Sequence, residues 1–258
     1  MTNKIHDLPN GDDWFIDGNS STQDETWYGN TIQTKLNKKH INKRAEITFI
    51  GDSVIDCKSY TRTGKGTVEY FAEAYANETY MSMINDQSRD GDTIFDCIDK
   101  ANQINADSKL VVVSAGGNDL LKLISMVSEI DDTNLLNGLL LSELDKLSMA
   151  YETMLQQFKP QATYLMMTVY EGNFAYNPQR FYGMDYTARA IVSMWNDRIS
   201  RIARDKNSRN NKSSYDVLDV RDVMSPNCYY NEIEPNEIGA KRIAKAIKRY
   251  VNETGVLL

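Results

Sequence analysis

Apolar and polar positions follow two rhythms along this chain, and each change of rhythm marks an element. Short unbroken apolar runs predict strands covered on both faces; apolar positions three and four residues apart predict amphipathic helices. ITFIG at 47–51 predicts a first strand and the stretch 65–77 a helix. YMSMIN at 80–85 predicts a second strand, followed by helix from Thr93 to Asn105. LVVVSA at 110–115, mostly β-branched, is the clearest strand of all. Helical spacing covers 119–130 and 140–158, with Pro160 as a stop. ATYLMMTV at 162–169 predicts a fourth strand, 186–205 a helix, DKNSRNNKSS at 205–214 a polar loop, and YDVLDV at 215–220 a fifth strand. The last helix starts near Asn236, a residue able to cap it.

Strands separated by helices imply βαβ units and a parallel sheet, so the fold class is α/β. Ligands of such sheets bind beyond the carboxyl ends of the strands. Residues 1–44 break the rhythm. They are rich in Asn, Asp, Thr and Ser, with Trp14, Phe15, Trp27 and Tyr28 scattered among them. We read them as an irregular N-terminal extension docked by those rings, and 45–258 as the folded domain.

A net charge of −7 argues against nucleic acid as the main partner, since neutralising phosphates needs a basic surface. The basic run AKRIAKAIKR at 240–249 reads as the solvated face of a helix near its C-terminus. No apolar run reaches membrane-span length. The N-terminus MTNKIHDLPNGDDWF lacks an apolar core segment, which predicts no secretory leader. Cys57, Cys97 and Cys228 are odd in number and widely spaced, so no disulfide framework is expected. The compartment is read as reducing and cytoplasmic.

The chemistry-bearing residues follow the strands. GDSV at 51–54 comes after the first, NDQSRDG at 85–91 at the second, and AGGND at 115–119 after the third. Together they offer a hydroxyl nucleophile in Ser53, a residue of close backbone approach in Gly91, and an amide donor in Asn118. Acyl transfer needs this set: an attacking oxygen, and donors aimed at the developing oxyanion. Each piece alone has a bland reading as a turn or a helix cap. Their order and position after successive strands favour the catalytic one.

These blocks resemble the SGNH (GDSL-type) hydrolases, over roughly residues 46–250. Gly51-Asp52-Ser53 is similar to that family's first block, Gly91 to its second, and Gly116-Gly117-Asn118-Asp119 to its third. The resemblance implies a flavodoxin-like three-layer α/β/α sandwich around a five-stranded parallel sheet. It implies Ser53 as nucleophile, Gly91 and Asn118 as oxyanion donors, a small ester or acylated substrate, and neither metal nor organic cofactor.

The fourth block departs from the family pattern of Asp-x-x-His-Pro. Asn231-Glu232-Ile233-Glu234-Pro235 stands there, with Asn231 in the Asp position and Glu234 in the His position. The only histidines, His6 and His40, precede the nucleophile. The segment resembles a branch of the superfamily carrying Asn-Pro-Ile-Glu-Pro-Ser, and TVYEGNF at 168–174 resembles that branch as well. An exposed Glu, with a pKa near about 4.3, is a weak base toward a serine hydroxyl. Burial beside Asp52 or Asp119 would raise it, and a neutral Asn231 would add a hydrogen bond without more negative charge. Tyr170 and Glu171 are expected to line the cleft, Trp195 to sit in the core, and Cys57 to be packed rather than reactive.

Three functions follow from these residues. The first is a serine-dependent ester hydrolase or acyltransferase with Glu234 as base. The second is a binding protein that keeps the oxyanion pocket and has lost the base. The third is an interaction scaffold. A Glu234 carboxylate in contact with Ser53 would favour the first; one turned into a salt bridge would favour the second.

Overall fold

The computed structural model describes residues 46–74, 83–128, 130, 132–158, 161–173, 184–209 and 212–257. The N-terminal extension at 1–44, Pro160 and the first residues of the predicted second strand lie outside the described residues. Five strands form one sheet: β1 (Ile47–Gly51), β2 (Ile84–Asp86), β3 (Leu110–Ser114), β4 (Thr163–Met167) and β5 (Ser214–Leu218). Their order is β2-β1-β3-β4-β5, and every pairing is parallel. The helices are α1 (Thr67–Ala74), α2 (Ile94–Asp99), α3 (Gly117–Ser128), α4 (Thr133–Gln157), α5 (Met184–Arg209) and α6 (Glu237–Thr254).

The period of two along each strand sorts these helices into layers. Val111 and Val113 of β3, Tyr164 and Met166 of β4, and Tyr215 of β5 face one way, where α2, α3, α4 and α5 bury Ile94, Leu120, Leu144 and Trp195 against them. Leu110 and Val112 of β3, Leu165 and Met167 of β4, and Phe49 of β1 face the other way, onto Phe71 of α1 and Ile243 and Ile247 of α6. The result is the three-layer α/β/α sandwich. Each wholly buried aliphatic side chain contributes roughly 1.5–3 kcal/mol, which is why both faces of so apolar a sheet are covered.

Several boundaries differ from the sequence expectation. The second strand is only Ile84–Asp86 and pairs with β1 at three positions. The helix expected from Thr93 to Asn105 ends at Asp99 and continues as a 3-10 turn, Ala101–Gln103. Helix α4 begins at Thr133, seven residues earlier than expected, because the Asp132 carboxylate caps it by accepting from Asn134 and Leu135 amides. Helix α5 runs to Arg209, into the stretch read as loop, since a solvated face can be wholly polar without ending a helix. Asn236 caps α6 as expected, accepting from the Ile238 and Gly239 amides.

The strand order reverses at β1, so that the chain leaves β2 on one side and resumes with β3 on the other. A crevice opens at such a switch point beyond the carboxyl ends of the strands. The loop after β1 carries Ser53, and the one after β3 carries Asn118.

Candidate active site

The turn after β1 is built around a glycine that has no room for a side chain and a buried aspartate. Gly51 has φ +144°, and a Cβ there would lie 1.8 Å from the Ser114 carbonyl oxygen. The next residue, Asp52, is fully enclosed. Its carboxylate accepts from the Ser114 hydroxyl at 2.8 Å and the Val54 amide at 3.1 Å, while its carbonyl accepts from the Ile55 and Asp56 amides at 3.0 Å. Ser53 is therefore held on a single tight turn pinned to β3. It is 8% exposed.

The segment after β3 packs directly on that turn. Gly116 has φ +107°, and a Cβ there would meet the Trp195 indole nitrogen at 2.8 Å; a Cβ on Gly117 would be 3.1 Å from the Asp52 carboxylate. Asn118 donates one amide N–H to the Asp92 carbonyl at 3.0 Å, leaving the second for another acceptor. Asp119 accepts from the Ile94 amide at 3.0 Å and so anchors the start of α2.

The segment after β2 is drawn in by the Arg89 amide, which donates to the Gly51 carbonyl at 2.8 Å. Gly91 has φ +83° and is exposed, with its amide against the Asp90 carboxylate. The buried Asp92 next to it pairs with Arg89 at 2.9 Å and with Lys100.

The fourth loop is braced on all sides. Asn231 Oδ1 accepts from the Ile233 amide at 2.9 Å and the Glu234 amide at 2.8 Å. The Tyr170 hydroxyl donates to the Ile233 carbonyl, and the Asn173 amide donates to the Glu232 carbonyl at 2.6 Å. Asn231 was expected to hydrogen-bond the Glu234 carboxylate. Its acceptor oxygen instead closes the turn through the main chain, and its Nδ2 is buried without a partner. Removing two accepted backbone bonds should cost about 2 kcal/mol. Asn231→Ala is thus expected to lower stability by about that much in a denaturant melt; Asn231→Asp keeps the accepting oxygen but adds a buried carboxyl beside Glu234, so its cost should be small at pH 5 and grow as the pH rises.

Ser53, Asn118, Tyr170 and Glu234 line one pocket, whose apolar wall includes Leu120, Leu121, Ile124 and Val192. Gly91 and Asn231 stand outside that lining, as does Glu171, which pairs with Arg189 instead. Glu234 is 5% exposed, and its Oε2 has no hydrogen-bond partner. Burial pushes its carboxyl up to about 8; the neighbouring Ser53 hydroxyl opposes this, and the Asp90 and Asp52 carboxylates add to it. Asp52 itself is raised to about 7, first by burial, against the Ser114 and Val54 bonds, with a small addition from Asp119. Of the two carboxylates expected to act on Glu234, Asp52 does so. Asp119 is committed to the Ile94 amide, and Asp90 takes its place.

Asp90 and Tyr60 were not singled out from the sequence. Asp90 adjoins the glycine that drew notice, so the signal was one residue away; Tyr60 belongs to no motif. Trp195 is core, and Cys57 is buried with its thiol raised to about 12 by burial. Among the described residues no group of three or more His, Cys, Asp or Glu is placed to hold a metal ion. No described helix is long and apolar enough to cross a membrane.

Comparison with known proteins gives one family and a set of folds. The family model for GDSL-like lipases and acylhydrolases matches residues 49–242, about three quarters of the chain. An acetyl xylan esterase is similar in structure, with 17% identity over 80% of this chain and 98% of its own, at a TM-score of 0.56. A lipase from a goat rumen metagenome shares 14% identity over 80% of this chain and 96% of its own, at 0.55. A member of the lipolytic G-D-S-L family from Veillonella parvula shares 17% over 81% and 98%, at 0.53. At these identities the likeness is one of fold. No curated protein matches the chain.

Proposed function

We propose, for a chain that belongs to the GDSL-like lipase/acylhydrolase family, that it hydrolyses carboxylic esters with Ser53 as nucleophile and Glu234 as base. The observation that carries this reading is the Glu234 carboxyl, buried beside the Ser53 hydroxyl with no cation among its neighbours in the described residues. A carboxylate turned into a salt bridge would have favoured a binding protein without a base. Asn-x-Ile-Glu-Pro is, on this reading, a working replacement for Asp-x-x-His. The catalytic domain is taken as 45–258. The free, buried Cys57, Cys97 and Cys228 support a reducing, cytoplasmic compartment.

The steps follow from the residues. Ionised Glu234 takes the Ser53 proton as the oxygen attacks the ester carbon. The resulting oxyanion accepts from the second Asn118 N–H; the Gly91 amide, which the resemblance implies as a second donor, is turned to the Asp90 carboxylate and would join only by leaving it. Collapse breaks the bond to the alcohol, which leaves with the proton from Glu234. Water then attacks the acyl-serine, losing its proton to Glu234; the bond from the acyl carbon to Ser53 Oγ breaks, Glu234 returns the proton to Oγ, and the acid leaves. A base with a pKa near about 8 is better matched to this shuttle than an ordinary Glu, because its conjugate acid survives at neutral pH to protonate the alkoxide.

The pH profile tests the assignment. Below the pKa only the ionised fraction works, so kcat/KM on a short activated ester should rise about tenfold per unit from pH 6 to 7 and level off above about 8. A profile flat from pH 6 to 9, after subtraction of the uncatalysed rate, would remove Glu234 from the role of base.

A further inference from the structure

Beside Glu234, outside the lining of the pocket, Tyr60 and Asp90 form an acidic and aromatic rim. The Tyr60 hydroxyl donates to Asp90 Oδ2 at 2.7 Å, and the Tyr60 ring tilts against Tyr230 with centroids 5.8 Å apart. Tyr230 is 58% exposed. The nearby cations are engaged elsewhere: Lys58 with Asp56 at 3.0 Å, Glu69 at 3.3 Å and Asp86 at 3.4 Å, and Arg89 with Asp92 and Asp96. Among the described residues, neither Asp90 nor Glu234 has an ion-pair partner. The Oε2 of Glu234, buried in the pocket wall, has no partner of any kind.

We propose that this rim binds a positively charged alcohol portion of the substrate, so that the preferred substrates are esters of ammonium-bearing alcohols. The inference rests on the Ser53–Glu234 reading, which also sets the orientation. The leaving oxygen must receive its proton from Glu234, so the alcohol lies on the Glu234 side, and the acyl group faces the apolar wall of Leu120, Leu121 and Ile124. On that orientation a cation carried by the alcohol is on the side where Tyr60 and Asp90 neighbour Glu234. Ammonium groups are held by aromatic faces together with uncompensated carboxylates.

Binding a cation here changes the base. The groups facing Glu234 are the Asp52 and Asp90 carboxylates, the Ser53 hydroxyl, and the Tyr60 and Tyr170 phenols, with Asp56 acting on Tyr60 and Asp90 behind them. None is positive. A bound ammonium is the first positive charge in that set and favours the ionised carboxylate, so the substrate activates the base that cleaves it.

The test compares acetylcholine with its uncharged carbon isostere, 3,3-dimethylbutyl acetate. At pH 7 kcat/KM should favour acetylcholine by about tenfold or more, and the inflection of kcat should fall at lower pH for acetylcholine, because kcat reports the pKa in the complex. In Asp90→Asn the preference should shrink severalfold. Equal turnover of both esters, each lost in Ser53→Ala, would overturn the cation site and leave the esterase reading standing. If neither ester is cleaved, titration of Ser53→Ala with tetramethylammonium chloride at constant ionic strength decides the site. Proton release at pH 8 with a raised melting temperature supports it, and no change relative to sodium chloride overturns it.

Discussion

Ser53→Ala should retain the wild-type melting temperature and lose ester hydrolysis by at least about 10³-fold. The side chain is small and makes no structural bond that the turn depends on. That turn is held by Asp52, through Ser114 Oγ and the Val54 amide, and by the Asp52 carbonyl. Removing the hydroxyl therefore removes the attacking atom and little else. The expected measurement pairs a burst or steady-state assay on a short activated ester with a thermal melt of the same preparation. A variant that melts normally and still turns over at the wild-type rate would show that the activity belongs to another residue. The same substitution removes the one hydroxyl that opposes the rise in the Glu234 pKa, so that carboxyl should titrate higher still in the variant.

Glu234→Gln should lose activity and gain stability at the same time. Its carboxyl has an ordinary value of 4.5 in the unfolded chain and about 8 in the fold, so the native state binds the proton more tightly. Below pH 4.5 the group is protonated in both states and has no effect on the balance. Between 4.5 and 8 unfolding releases a proton, so native stability falls as pH rises through this window, then stays constant above it. Glutamine is neutral throughout and escapes the loss. Its advantage over wild type should therefore grow from pH 5 to pH 8 and level off at on the order of 3 to 5 kcal/mol. Asp52, raised to about 7, destabilises both proteins over a similar range; because its carboxylate and that of Glu234 repel each other, the variant also relieves Asp52, which adds to its advantage. Denaturant midpoints at pH 5 and pH 8.5 measure it. A constant offset at both pH values would mean that Glu234 is ionised in the fold at neutral pH, against the burial and the two carboxylates around it. Stability given up at a working site is the usual consequence of holding a reactive group in an environment it does not favour.

The elements of this protein were legible because strand and helix periods are local properties of the chain. LVVVSA at 110–115 read as a strand covered on both faces, and Asn236 as a cap, from neighbours within a few residues. Gly51 and Gly116 belong with these: their motifs mark turns, although only the fold reveals that the Ser114 carbonyl and the Trp195 ring occupy the space of the missing side chains. The sequence also pointed to Ser53 and Asn118 as neighbours, since α/β topology brings the loops after β1 and β3 to one crevice, and both line the same pocket. It did not determine the state of Glu234. A carboxyl pKa is set by exclusion of water and by fields crossing space, here from Asp90 and Asp52, more than 140 residues away along the chain. For the same reason the Tyr60–Asp90 pair, the outward setting of Gly91 and the turn-closing role of Asn231 emerged only from the tertiary structure. Each depends on which polar atom wins a partner once distant segments are packed, and no local pattern records that competition.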